Sequence, residues 1–300
     1  MSADALREYA RVKPILTEED LVRLEDARLV QDYQPKFALS RKIIRAWREK
    51  RHIAAIVFGH KQVGKSTYAL QVMEEVYRAF GFSEKEAWDL SLKCLVFKIE
   101  EFLHVLELMR RYPFLRIPVV TVDDAGVWFG HQRRFTREAV ALKGLFDTVG
   151  TAFGTIIYTT PNPSGLLNFI RTSVNFRIRV EPYGSKRIAY GWKEEIDVDG
   201  STEFTVRGAP GDVFSTLDGE KYEQYARIRR YFLEEAMEEV QKVFAEAGME
   251  TRFELPRCTL CGRETGKINS ISVSEEVYML CDECYENWRR GRDAAEKQAQ

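Results

Sequence analysis

Cysteine is scarce in this chain, with five in 300 residues. Four of them stand in two close pairs, a pattern that speaks for metal ligation in a reducing compartment and against a secreted disulfide framework. Long hydrophobic runs are missing too. No stretch approaches the roughly 20 apolar residues that a bilayer span requires. Residues 1–17 carry scattered charges where a secretory signal would have its apolar centre. The expectation is a cytoplasmic protein with no membrane partner. Neither sign of charge dominates: 45 Lys and Arg face 46 Asp and Glu, for a formal net charge of -1. No whole-chain field draws the protein to nucleic acid or membrane, so any such binding needs a local patch. Internal repeats and low-complexity tracts are absent as well.

What is present is enough apolar residue, 45%, for one large α/β domain and a small module. Residues 1–50 read as a helical leader that packs on the main domain. They have apolar positions near helical spacing at Leu21 and Leu24, and again at Ile43, Ile44 and Trp47. From His52 short apolar strands alternate with helices. The strands are expected at Ile53–Phe58, Cys94–Phe97, Ile117–Val122, Gly154–Thr159 and Val174–Val180. The helices are expected near Lys65–Phe80, Ile99–Arg111 and Thr136–Val149. This alternation is that of a doubly wound, mainly parallel sheet. From Glu181 to about Asp212 the pattern changes to antiparallel hairpins, with turns at Pro182–Ser185 and Asp197–Ser201. A long charged helix follows over Asp218–Ala247.

The first apolar strand runs into Gly59-His60-Lys61-Gln62-Val63-Gly64-Lys65-Ser66, with Thr67 next in the helix. Gly-x4-Gly-Lys-Ser between a buried strand and a helix is the phosphate-cradling Walker A pattern. Its glycines permit the turn and a close backbone approach, and the helix N-terminus faces the anion. Lys65 would supply charge to the β- and γ-phosphates, and the Ser66 hydroxyl a ligand for Mg²⁺.

The strand Val119–Val122 ends in Asp123-Asp124, a Walker B-like element. Asp123 would hold Mg²⁺. Asp124 takes the place of the water-polarising acid, though an aspartate is one methylene shorter than the usual glutamate. In chain order one strand, Cys94–Phe97, lies between these two motifs, and another follows and ends in Tyr158-Thr159-Thr160. Thr159 and Thr160 are therefore candidates to sense the γ-phosphate or the attacking water; alternatively they cap the helix after Pro161. Asp-x-x-Gly at 123–126 also fits a guanine-nucleotide protein. Thr-Thr-Pro-Asn-Pro stands where the guanine-reading Asn-Lys-x-Asp would be, which favours ATP.

Trp128–Arg137 interleaves aromatic residues with Arg133, Arg134 and Arg137. The run suits a nucleic-acid channel, a lid over a second substrate, or a finger acting in trans in a homo-oligomer. It equally suits a solvated loop over buried Trp128 and Phe129. Arg171 is a further finger candidate by position. At the C-terminus Cys258-x2-Cys261-x19-Cys281-x2-Cys284 has the spacing of a closed, structural four-cysteine zinc site, with Gly262 at the turn. Cys94 reads as a small core residue inside its strand.

Residues 52–180 resemble the additional-strand P-loop ATPases, most nearly the FtsK/HerA-like and Zot-like ATPases of archaea and their mobile elements. The cysteine module resembles the zinc-binding domain of the ClpX unfoldase, in the opposite chain order. The first resemblance implies a P-loop NTPase three-layer α/β sandwich over 51–250, with a β-hairpin extension and long terminal helix. It also implies an oligomeric Mg-ATPase with Gly59, Gly64, Lys65, Ser66, Asp123 and Asp124 at its site, working on DNA or a DNA-handling complex. The second implies a docking module over 256–300 for a protein or nucleic-acid partner. Two other functions fit the same motifs: a small-molecule phosphotransferase with Arg133, Arg134 and Arg137 as lid, and a nucleotide-dependent switch with little turnover.

Overall fold

The structure, a computed structural model, describes residues 12–128, 137–196, 202–205, 211–246, 258–263, 269–273 and 276–298. Met1–Leu233 and Glu234–Gln300 form two compact units.

The first unit opens with two short helices, α1 (Glu18–Asp26) and α2 (Ala38–Arg48). Thr17 starts α1 through a reciprocal capping box with Asp20, which satisfies two otherwise orphaned backbone donors. Leu16, Leu21, Leu24, Leu39 and Ile43 join the main core. Two ion pairs tie the segment down: buried Lys13 with buried Glu101 at 2.9 Å, and buried Asp20 with half-buried Lys93 at 2.8 Å.

The α/β core follows as β1 (Ile53–Phe58), α3 (Lys65–Ala79), α4 (Glu84–Lys93), β2 (Leu95–Val96) and α5 (Ile99–Met109). It continues with β3 (Val120–Val122), α6 (Ala125–Trp128), α7 (Arg137–Thr148), β4 (Thr155–Thr160), α8 (Asn168–Ser173) and β5 (Phe176–Tyr183). Strands β2, β3, β4, β1 and β5 lie side by side in that order and all run parallel. Residues 53–57 of β1 are buried, as expected where helices cover both faces of a parallel sheet. This is the mainly parallel α/β sandwich that the alternation of strands and helices leads one to expect. The strand inserted between β1 and β3 is β4; β2, which intervenes in chain order, lies on the outer edge.

Several local boundaries differ from expectation. Helix α4 is not among the expected helices, although Ser83 and Glu86 form a full capping box at its start. It absorbs most of the segment before β2, so Cys94 caps α4 instead of opening a strand. Its side chain is buried all the same. The strand expected from Ile117 begins only at Val120, with a single bridge from Ile117 to Phe153 before it. Strand β5 also runs on through Pro182 to Tyr183 before the chain turns.

Beyond β5 the chain reverses into antiparallel β6 (Lys186–Ile196), which pairs with β7 (Thr202–Thr205) and β8 (Asp212–Phe214). The turn expected at Asp197–Ser201 lies outside the described residues. Asp212 locks this extension to the core: its carboxylate accepts from the Tyr68 hydroxyl at 2.6 Å and from the Ala38 backbone N–H at 2.7 Å. Helix α9 (Gly219–Glu246) begins in the first unit. Leu217 and Ile228 close a second cluster there with Leu70, Trp88, Leu92, Leu95 and Phe97.

The second unit contains the hairpin of β9 (Asn269–Val273) and β10 (Glu276–Leu280), followed by α10 (Asp282–Gln298). Among the described residues its hydrophobic cluster has three buried members, Cys258, Leu280 and Cys281. Among the described residues no helix is long and apolar enough to cross a membrane.

Candidate functional site: a phosphate loop facing paired acids

The site lies at the carboxyl ends of the parallel strands, where open α/β sheets place their ligands. The Gly59–Ser66 loop connects β1 to α3. Gly59 has φ +148°, and a Cβ there would fall 2.5 Å from the Val180 carbonyl oxygen, so only glycine fits. Gln62 and Gly64 are also left-handed, at φ 62° and 98°, which turns successive N–H groups inward as an anion-binding nest. Gly64 is the N-cap of α3 and offers no side chain to the first-turn donors, which leaves them for a ligand. His60, Lys61 and Gln62 are exposed, Val63 packs in the core, and Ser66 and Thr67 are half-buried. The Lys65 ammonium donates to the His60 carbonyl at 2.9 Å. Burial lowers its pKa, and the nearby Asp124 and Asp123 charges work in the opposite direction.

Register explains what meets the loop. Val57 pairs with Thr159 across β1 and β4, and Val122 pairs with Tyr158 across β3 and β4. Asp123, one residue on from Val122, is thus brought beside Thr159. Asp123 is fully buried. Its Oδ1 accepts from the Ser66 hydroxyl at 2.6 Å and from the Thr159 hydroxyl. Its Oδ2 accepts from the Tyr225 hydroxyl at 3.1 Å. Burial, and then the neighbouring Asp124 charge, push the Asp123 pKa up; Arg229 and the Ser66 and Thr159 hydroxyls pull it back. Asp124 has φ 48°, rare for a residue with a Cβ. Its N–H donates to the Thr159 hydroxyl oxygen at 2.9 Å, and its carboxylate is paired with Arg229.

Thr159, not Thr160, is the threonine on the acids. The Thr160 hydroxyl bonds the Asn162 backbone instead, closing the turn that follows β4. Arg171 donates to Asn168 at 2.8 Å within its own short helix. Arg133 and Arg134 lie outside the described residues, as does the Arg137 side chain; Arg137 is the first residue of α7.

Three residues of this site escape sequence reasoning. Tyr225 and Arg229 come from α9, about a hundred residues beyond the acids. Arg187 comes from β6 and lies against the phosphate loop: a Cβ on Gly64 would sit 2.5 Å from its Cδ and 2.7 Å from its Nε. None is marked by local spacing.

The four distal cysteines converge, with their sulfur atoms all within 4.8 Å of one another and Cys261 and Cys281 at 3.8 Å. Tetrahedral zinc with Zn–S near 2.3 Å places its sulfurs about 3.8 Å apart, so the cluster fits such an ion. Gly262, at φ 72°, makes the turn, and its N–H donates to the Cys258 carbonyl at 2.8 Å. Backbone N–H groups, first that of Cys281, hold the Cys258 thiol down, to about 6.

No protein-family model matches the chain. The uncharacterized protein B-251 of Sulfolobus spindle-shape virus 1 is 32% identical over 133 residues, 44% of this chain and 53% of that one. The uncharacterized protein ORF286 of Acidianus two-tailed virus is 33% identical over 131 residues, 42% of each. The matched region thus spans about half the length of these relatives. Among solved structures, the N-terminal domain of zonular occludens toxin from Neisseria meningitidis is 14% identical with a TM-score of 0.34. That match covers 57% of this chain and 97% of the domain. The genome packaging NTPase B204 from Sulfolobus turreted icosahedral virus 2, in complex with ATP-gammaS, is 12% identical with a TM-score of 0.33. It covers 56% of this chain and 98% of that chain.

Proposed function

We propose that the chain is a Mg²⁺-dependent ATP-binding and ATP-hydrolysing protein that acts on DNA or on a DNA-handling complex, as a homo-oligomer. The observation that carries the enzymatic part is the meeting of Ser66 and Thr159 on one oxygen of buried Asp123, directly behind the Lys65 loop. A hydroxyl and a carboxylate 2.6 Å apart are the hard oxygen donors that Mg²⁺ takes, and the Asp123 carboxylate is fully buried. Bound there, Mg²⁺ would neutralise charge on the β- and γ-phosphate oxygens.

In this reading the loop N–H groups and Lys65 hold the phosphates. Thr159 fixes the orientation of Asp123 and, through its oxygen, the backbone of Asp124. Asp124 is the acid placed to take a proton from the attacking water. The DNA assignment rests on the arginines and aromatic residues of 128–137. The four-cysteine unit would hold zinc and dock a partner.

Measuring ATP turnover with and without single- and double-stranded DNA, beside Lys65→Ala, tests both parts. Turnover that DNA raises and Lys65→Ala abolishes is expected. Equal turnover in wild type and mutant would refute the mechanism, and no DNA response with no DNA binding at low salt would refute the substrate.

One observation favours a second reading, a nucleotide-dependent switch. Asp124 is engaged by Arg229, an ion pair that occupies the carboxylate that would otherwise orient the attacking water. Slow turnover that no partner raises would support the switch.

A further inference from the structure

The start of α9 is fixed in place before it reaches the acids. Lys221 bridges Glu74 at 2.7 Å and Glu84 at 3.0 Å. The Trp88 indole N–H donates to Gln224 at 2.6 Å, and the Phe232 ring stacks on Phe97 with centroids 4.2 Å apart. Residues 221, 225, 228, 229 and 232 share one helical face. Anchors above and below therefore hold Tyr225 and Arg229, one turn apart, over Asp123 and Asp124.

There the two carboxylates are divided among donors. Oδ1 of Asp123 takes Ser66 and Thr159, while Oδ2 takes Tyr225 and lies 3.5 Å from Arg229. Arg229 also pairs with Asp124 Oδ2. Burial works against the charge on Arg229, and Tyr225, then Asp123 and Asp124, outweigh that cost, so its pKa is raised. The guanidinium side chain keeps 42% exposure, and the fork has more donors than these two acids occupy. Lys65 feels the Arg229 charge across the same acids. Two cations, one from the phosphate loop and one from α9, thus flank the acid end of the cradle.

We propose that Arg229 reads the terminal phosphate of the bound nucleotide, with Tyr225 and the anchored face of α9 holding it in position. The proposal rests on the phosphate-loop reading above. A γ-phosphate held by Lys65 presents its oxygens to Arg229, and these anionic acceptors compete with Asp124 for the guanidinium. Transfer of Arg229 to the phosphate releases the Asp124 carboxylate to act as base. It also loosens Asp123 Oδ2 from α9. Nucleoside triphosphate and diphosphate are thereby distinguished by a residue of the same chain, and the difference is passed to the helix that bears it. This is a role in cis, independent of any arginine contributed by a neighbouring subunit.

The test is nucleotide binding by the full-length chain in Mg²⁺, using a non-hydrolysable ATP analogue and ADP. Wild type, Arg229→Ala, Arg229→Lys and Lys65→Ala are compared, with hydrogen exchange of residues 221–232 in parallel. Arg229→Ala should weaken the triphosphate about tenfold or more, the scale of a hydrogen bond to a charged group, and leave the diphosphate nearly unchanged. Arg229→Lys should keep part of the preference. In wild type the triphosphate, and not the diphosphate, should change exchange in 221–232. Arg229→Ala with a lower melting temperature and an unaltered triphosphate-to-diphosphate ratio would overturn the proposal, leaving Arg229 a structural ion-pair partner. If that variant does not fold, identical exchange of wild-type 221–232 with both nucleotides would overturn it equally. Wild type that binds neither nucleotide, or Lys65→Ala that binds both as well as wild type does, would instead bring down the phosphate-loop reading, and this proposal with it.

Discussion

The two compact units are stabilised by different physics. In Met1–Leu233 a continuous core surrounds the parallel sheet. Ile56, Tyr68, Tyr77 and Phe102 are fully or almost fully buried, and the ligand site is a rim of loops added at one end of the strands. In Glu234–Gln300 the buried cluster among the described residues is Cys258, Leu280 and Cys281, and two of those three belong to the cysteine set that could hold a metal. The first unit folds and can then bind. In the second, the buried cluster among the described residues is small and shares Cys258 and Cys281 with the cysteine set, so a metal bound there would couple its folding to binding.

The largest expected effect follows from that contrast. A strong chelator, or Cys281→Ser, should unfold the hairpin and knuckles of the second unit. Structural zinc contributes on the order of 10 kcal/mol to such small modules, and the melting of the first unit should stay where it was. Segment-resolved hydrogen exchange before and after chelation checks this; simultaneous loss of both units would break the comparison. Next in size, Ile56→Ala should destabilise the first unit by about 2–5 kcal/mol, the range for truncating a buried aliphatic side chain. Metal content of the second unit should be unaffected, as measured by thermal melts and zinc quantitation. Thr17→Ala removes half of the capping box of α1 and should cost about 1 kcal/mol in denaturant unfolding, with nucleotide affinity retained.

The smallest effect is a pH dependence. Burial lowers the pKa of His52, with Arg116 acting in the same direction and the Phe153 carbonyl opposing. The unfolded chain therefore takes up a proton, near its ordinary pKa of about 6.5, that the folded chain resists. Stability from this group is present above that pH and falls as pH drops through it. His52→Gln should flatten that part of the first unit's stability profile.

The parts of this molecule that are legible in the sequence are those whose chemistry is local. The phosphate loop, the Asp123-Asp124 pair and the two cysteine knuckles each lie within about eight residues, so their residue types and spacing can be read locally. Helix α4 has a local signal in the Ser83–Glu86 capping box, but the apolar residues beyond it suggest a strand and mask the helix. The position of β4 between β1 and β3 has no local signal, since chain order places β2 there; only the register that sets Thr159 beside Asp123 reveals which threonine meets the acids. Arg187, Tyr225 and Arg229 are ordinary charged or aromatic residues in a hairpin and a polar helix. Their distance in sequence from the loop hides them until the extension and α9 fold back.

The central claim is that the Gly59–Ser66 loop and Asp123 hold a nucleoside triphosphate with Mg²⁺. Calorimetric titration of ATP into wild type and Lys65→Ala, with and without Mg²⁺, tests it most directly. Wild type should bind in a Mg²⁺-dependent manner, and loss of the Lys65 charge should reduce binding to near the detection limit. Equal, metal-independent binding by both proteins would contradict the account.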